Sequence, residues 1–109
     1  MLTIYPKRPS EKLQPAKRSR MDIYAEILEA LKRKGLTRIT RVSYAVGLPV
    51  DRTKSYLKDL SSSGLVGIQT GEDSGYSITH RGLEFLDAYW KLKGFLDFIG
   101  GEAGEPGRG

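Results

Sequence analysis

Apolar residues recur at helical spacing from the first quarter of the chain onward. Ile23, Ile27, Ala30 and Leu31 form one stripe, and Tyr24 and Leu28 widen it, predicting a helix that buries one face. Ser19 stands where an N-cap belongs, and Asp22, three residues on, resembles the return half of a capping box. Lys32, Arg33 and Lys34 fall in the last turn, and Gly35 closes it. Leu36 to Ile39 reads as a short strand able to pair with a later hairpin. Thr40 is the expected cap of a second helix running through Val46, with Ile39, Val42 and Ala45 or Val46 inward. Gly47-Leu48-Pro49 then forms a tight reversal, and Pro49 or Val50 begins a third helix, because proline at a helix start forfeits no hydrogen bond. Val50, Thr53, Leu57 and Leu60 form its inward stripe, with Tyr56 at the edge. The opposite face holds Asp51, Arg52, Ser55, Lys58, Asp59 and Ser62, with Lys54 on the flank.

The periodicity changes after Leu60. Gly64 is placed as a helix C-terminal glycine, which alone takes the left-handed conformation cheaply. Leu65 to Ile68 and Gly75 to Ile78 flank the loop Gly71-Glu72-Asp73-Ser74-Gly75, a hairpin pattern, and Thr79 caps a last helix over residues 80–99. On that helix Phe85, Tyr89, Leu92, Leu96 and Ile99 make a heptad stripe, and Leu83, Leu86 and Trp90 make a second. A domain this small cannot bury both. The second stripe is expected to face its own domain and the first a partner chain, the alternative being a helix that folds back on its own domain. The element order predicts a mainly α fold with a small β-hairpin (α+β), a winged helix-turn-helix with a long C-terminal dimerisation helix. Such folds most often bind double-stranded DNA.

Charge sharpens this reading. The net charge is +5, and residues 1–20 hold six lysines and arginines, Lys17, Arg18 and Arg20 among them, against Glu11 alone. Residues 32–58 hold eight, including Arg38, Arg41, Arg52, Lys54 and Lys58, against Asp51 alone. Acidic residues dominate elsewhere. Positive charge therefore gathers where a polyanion would be held, although the cluster at Lys32 to Lys34 is explained equally well by the helix dipole. Pro6, Pro9 and Pro15 among basic and polar residues mark residues 1–18 as a flexible basic arm. Residues 19–79 form the winged domain, 80–99 the dimerisation helix and 100–109 a disordered glycine-rich tail.

Chemistry beyond binding has little to work with. There is no cysteine, and His80 is the one histidine, so a disulfide framework and thiolate zinc sites are excluded. No phosphate loop, nucleophile elbow or metal-ligand spacing occurs, and neither catalysis, a cofactor nor a small-molecule substrate is expected. No apolar run reaches membrane-spanning length and no signal peptide is evident, so an intracellular, cytoplasmic protein is expected.

The segments ILEALKRKG, TRVSYAVGL, YLKDLSSSGLV and YSITHRGLEFL, taken as an ordered set, resemble the archaeal ten-kilodalton winged-helix DNA-binding proteins. The resemblance runs from about Arg18 to about Ile99. It implies a homodimer joined by an antiparallel coiled coil of the last helices, with the third helix in the DNA groove for a chromosomal or regulatory role. Two features depart from that pattern. The wing carries Glu72 and Asp73 where an inserted wing would carry basic residues, and the third helix carries Asp51 and Asp59, which repel phosphate unless paired. Candidate DNA contacts are Arg38, Arg41, Arg52, Lys54, Ser55 and Lys58, with Lys17, Arg18 and Arg20 from the arm. Candidate dimer contacts are Phe85, Tyr89, Leu92, Leu96 and Ile99. Two other readings stay open: a winged-helix adaptor for protein partners, and a basic arm that binds RNA or anionic surfaces on a dimerising fold.

Overall fold

The computed structural model describes residues 18–104, with side chains through Ile99. Residues 1–17 of the expected arm, Lys17 among them, and residues 105–109 of the expected tail lie outside the described residues. The order is α1 (Arg20–Lys34), α2 (Ile39–Val46), α3 (Val50–Ser62), β1 (Val66–Gln69), β2 (Gly75–Ile78) and α4 (His80–Gly104). This is a winged helix-turn-helix, mainly helical with one antiparallel hairpin.

The capping box of α1 is complete. Ser19 Oγ accepts from the Asp22 N–H at 3.0 Å, and the Asp22 carboxylate accepts from the Ser19 N–H at 3.1 Å. Its apolar stripe, Ile23, Ile27, Leu28 and Leu31, is buried and forms the centre of the core with Val42, Val46, Leu57, Leu60, Val66 and Leu86. Fully burying each of the larger side chains contributes about 1.5–3 kcal/mol relative to exposure.

The expected strand at Leu36 to Ile39 is reduced to one bridge. Thr37 and Tyr76 exchange backbone hydrogen bonds of 2.8 and 2.9 Å. Fixing Thr37 there brings the next helix in early, so Arg38, not Thr40, is the N-cap of α2, and Thr40 is an exposed helical residue. Val46 faces the core and Ala45 faces outward.

The reversal between α2 and α3 is stapled by two buried hydroxyls. Ser43 Oγ donates to the Leu48 carbonyl, and Thr53 Oγ1 donates to the Pro49 carbonyl at 3.0 Å. Gly47 takes the left-handed conformation between them. Val50 does not join the inward stripe. It is 41% exposed, because at the first position of α3 the core line has yet to begin and starts one turn later at Thr53. At the other end, Gly64 (φ +79°) follows the Ser63 cap, with the Leu65 N–H on the Leu60 carbonyl and the Gly64 N–H on the Ser61 carbonyl. This is the Schellman arrangement expected from the glycine's position.

The hairpin pairs Val66 with Ile78 and Gln69 with Gly75. Thr79 caps α4 as expected, its Oγ1 accepting from the Gly82 N–H at 3.0 Å. The helix continues to Gly104, five residues past the expected end at Ile99. Extending a formed helix adds one hydrogen bond per residue, whereas only starting one is costly, so a few glycines are carried along.

Candidate nucleic-acid interface

The core side of α3 is used up by Thr53, Leu57 and Leu60, which leaves Asp51, Arg52, Lys54, Ser55 and Lys58 exposed on its outer face. Arg52 and Lys58 are six residues apart on a helix that presents its basic positions to solvent along about 9 Å of axis. Arg20, at the start of α1, lies beside this surface and lines a shallow depression with Arg52, Ser55, Tyr56 and Asp59. Of the two carboxylates on α3 that repel phosphate, Asp59 is engaged within the protein, while Asp51 stays exposed in the first turn. Asp59 accepts from the Tyr24 hydroxyl at 3.0 Å and lies 3.9 Å from the Arg20 guanidinium. Burial, and then the bond to Asp59, push the Tyr24 hydroxyl pKa above its ordinary value, so it stays a donor. Tyr24 packs edge-on against Tyr56 with ring centres 5.8 Å apart, and Arg52 Nη2 reaches the Tyr56 hydroxyl at 3.4 Å. The two tyrosines thus brace Asp59 and Arg52, a support the apolar spacing did not reveal.

The remaining predicted contacts divide. Arg38 lies at the start of α2 over a groove shared with Gln69, Thr70 and Ser74 of the wing. Arg41 lies on another side of α2, beside Arg33, Lys34 and Tyr44. Arg18 is not part of a loose arm. Its guanidinium donates to the Glu26 carboxylate and, at 3.0 Å, to the Val46 carbonyl at the end of α2, and its side chain is 19% exposed. A cation at a helix C-terminus meets the negative end of the dipole, so Arg18 is held by the fold.

The candidate dimer face also needs correction. Tyr89 is 8% exposed and points into its own domain, where its hydroxyl donates to Asp22 Oδ1 at 2.5 Å. Phe85 packs against the same core, while Leu83 and Trp90, expected inside, are exposed. Trp90 keeps one link to α1, its Nε1–H donating to Glu29 at 3.3 Å. The inward stripe is Gly82, Leu86, Tyr89 and Lys93, a line that begins at a residue with no side chain and so escaped the apolar pattern. Leu92, Leu96 and Ile99 remain exposed, and Phe95 and Phe98, each 69% exposed, join them.

Three helices in this order, a stapled reversal ahead of an exposed basic helix, and a hairpin wing define the winged helix-turn-helix class. The chain belongs to the winged helix-turn-helix family, whose sequence profile it matches over residues 17–96. Among solved structures it is similar to Sso10a-2, a DNA-binding protein from Sulfolobus solfataricus. That match has a TM-score of 0.65 and 27% identity over 79% of this chain and 93% of the other. MepR, a transcription regulator of the Staphylococcus aureus multidrug efflux pump MepA, shares the fold at TM-score 0.63 and 12% identity, covering 82% of this chain and 67% of MepR. The Zalpha domain of Carassius auratus PKZ, solved with Z-DNA, shares it at TM-score 0.53 and 14% identity, covering 57% of this chain and all of that one, 100%. No curated protein sequence matches significantly. Among the described residues, no helix is long and apolar enough to cross a membrane.

Proposed function

We propose that the protein binds double-stranded DNA as a homodimer, with α3 laid in the major groove. The observation that carries this reading is the outer face of α3. Arg52, Lys54, Ser55 and Lys58 are exposed together, Arg20 joins them, and Asp59 is already engaged by Arg20 and Tyr24. The likeness to the DNA-binding Sso10a-2 over most of both chains supports it. Arg52 and Ser55, near the N-terminal half of α3, are suited to base edges, and Lys54 and Lys58 to phosphates. Arg38 would reach the backbone beside the wing. The wing tip, Glu72 and Asp73, is exposed and acidic, so it should stand off from phosphate. Residues 1–17 would add phosphate contacts as an auxiliary arm.

The test is a salt titration of binding to a random and a genomic duplex. Each phosphate contact should contribute about −0.9 to the slope of log affinity against log salt. Replacing Arg52 and Lys54 together with alanine should weaken binding sharply and flatten that slope. Unchanged affinity would favour the other use of this fold, a protein adaptor, for which the acidic wing is the observation in support.

A further inference from the structure

The outer side of α2 carries a second surface that duplex recognition by α3 does not use. Tyr44 is 90% exposed, the most exposed of the large hydrophobic residues in the described chain. A lone surface tyrosine is unremarkable. This one borders a cleft of about 520 Å³ between the end of α1 and α2, lined by Arg33, Lys34, Thr40, Arg41, Tyr44 and Ala45. No carboxylate lines the cleft, and no aspartate or glutamate occurs from Lys32 through Val50. The closest counter-charge along α1 is Glu29, one turn before Arg33, and it receives the Trp90 indole N–H on the neighbouring groove. The helix dipole accounts for the basic residues of α1, but it accounts neither for Arg41 on α2 nor for an uncovered aromatic ring between them.

We infer that the cleft binds a segment of single-stranded nucleic acid, with an unpaired base stacked on Tyr44 and flanking phosphates held by Arg41, Arg33 and Lys34. An aromatic face bordered by cations is the combination that single strands use, because every base offers a π-face and every linkage a negative charge. A duplex hides its base faces and would gain nothing from Tyr44. Three cations from two elements also exceed what one terminal phosphate requires, which favours a strand over a free nucleotide. None of the residues lining the cleft belongs to α3, so the two surfaces are separable by mutation.

The experiment measures fluorescence anisotropy of a labelled twelve-nucleotide thymidine strand and of a labelled duplex against the full-length protein and four variants. Tyr44→Ala should weaken strand binding about tenfold and leave duplex affinity unchanged, while Tyr44→Phe keeps strand affinity. Arg41→Ala should lower the salt slope for the strand by about 0.7. Arg52→Ala with Lys54→Ala should act on the duplex alone, so failure of α3 as a duplex site would leave this outcome legible. Because Tyr44 makes no buried contact, unchanged thermal unfolding of Tyr44→Ala is the folding control. Equal strand affinity for Tyr44→Ala and the unmodified protein would overturn the inference. So would equal loss on strand and duplex, which would place Tyr44 in the duplex interface, or displacement of the strand by micromolar adenosine monophosphate, which would make the ligand a free nucleotide.

Discussion

Tyr89 and Asp22 join α4 to α1 through one short hydrogen bond, which shifts the titration of both. The Tyr89 hydroxyl, then the Ser19 N–H, hold the Asp22 carboxyl below the usual carboxylate range. Burial, and then Asp22, push the Tyr89 hydroxyl well above the ordinary phenol range. The signs follow from proton counting. The unfolded chain takes up the Asp22 proton more readily, so this contribution is complete above about pH 4 and is lost as pH falls through the lowered folded value. The Tyr89 contribution is complete below about pH 10 and is lost as pH rises toward the raised folded value. Asp22→Asn should therefore flatten the acid limb of a plot of melting temperature against pH. Tyr89→Phe should cost about 1 kcal/mol at neutral pH, a drop of roughly 4–8 °C in melting temperature, and should lessen the alkaline loss, of which Tyr24 carries a further part. Arg18→Ala should also destabilise, by about 1–2 kcal/mol, because it leaves the Val46 carbonyl and Glu26 without their donor. A binding-only role for Arg18 would leave the melting temperature where it was.

Among the elements, α4 departs most from its pattern. Its rotation is set by Gly82, where an added Cβ would stand 2.6 Å from Ile78 Cγ1 and still closer to the Leu65 carbonyl. Only a residue without a side chain lets the helix sit down on the hairpin, and that contact turns Leu86 and Tyr89 inward. Gly82→Ala should cost about 1–3 kcal/mol through overpacking, more than the helix propensity gained from alanine, as chemical denaturation would show. By contrast, α3 keeps the face its spacing predicts from Thr53 onward. Its apolar residues are few, regularly placed and all needed by one core, so only one rotation satisfies them.

For the whole molecule, the exposed end of α4 is the feature on which the proposed dimer rests. The 25-residue helix is about 37 Å long, and beyond Tyr89 its large apolar side chains are half or more exposed among the described residues, apart from Leu92 at 47%. Leu92, Phe95, Leu96 and Ile99 fall at helical spacing and, with Phe98, form a patch of the kind that marks an interaction site. An antiparallel pair of such helices would bury both patches and relate two α3 helices by a two-fold axis, so a specific site should be a pseudo-palindrome. Leu92→Glu combined with Leu96→Glu should convert the dimer to a monomer in light scattering while preserving the melting of the core. A monomer for the unmodified protein at micromolar concentration would exclude this assembly. Removing residues 1–17, but not Arg18, should reduce DNA affinity and salt slope with little effect on stability.

Local rules are enough for much of this protein. The box at Ser19 and Asp22, the glycine after α3, the cap at Thr79 and the basic face of α3 each depend on a few neighbouring residues and one helical or strand period. They were therefore legible from the residues alone. What only the tertiary structure decided are choices between faces that local spacing leaves equivalent. Two apolar stripes on α4 satisfy the same helical period, and packing of Gly82 against Leu65 and Ile78 buries neither whole but a line between them, through Leu86 of one and Tyr89 of the other. Arg18 and Arg20 look alike in a basic run, yet the carbonyl of Val46, 28 residues away, claims one, while Asp59 keeps the other beside α3. Arg38 and Arg41 are three residues apart, and their separation onto different grooves follows from which neighbours, the wing or the end of α1, the fold brings against α2. Nonlocal contacts of this kind, set by burial and close approach, carry no signature within a single helical turn.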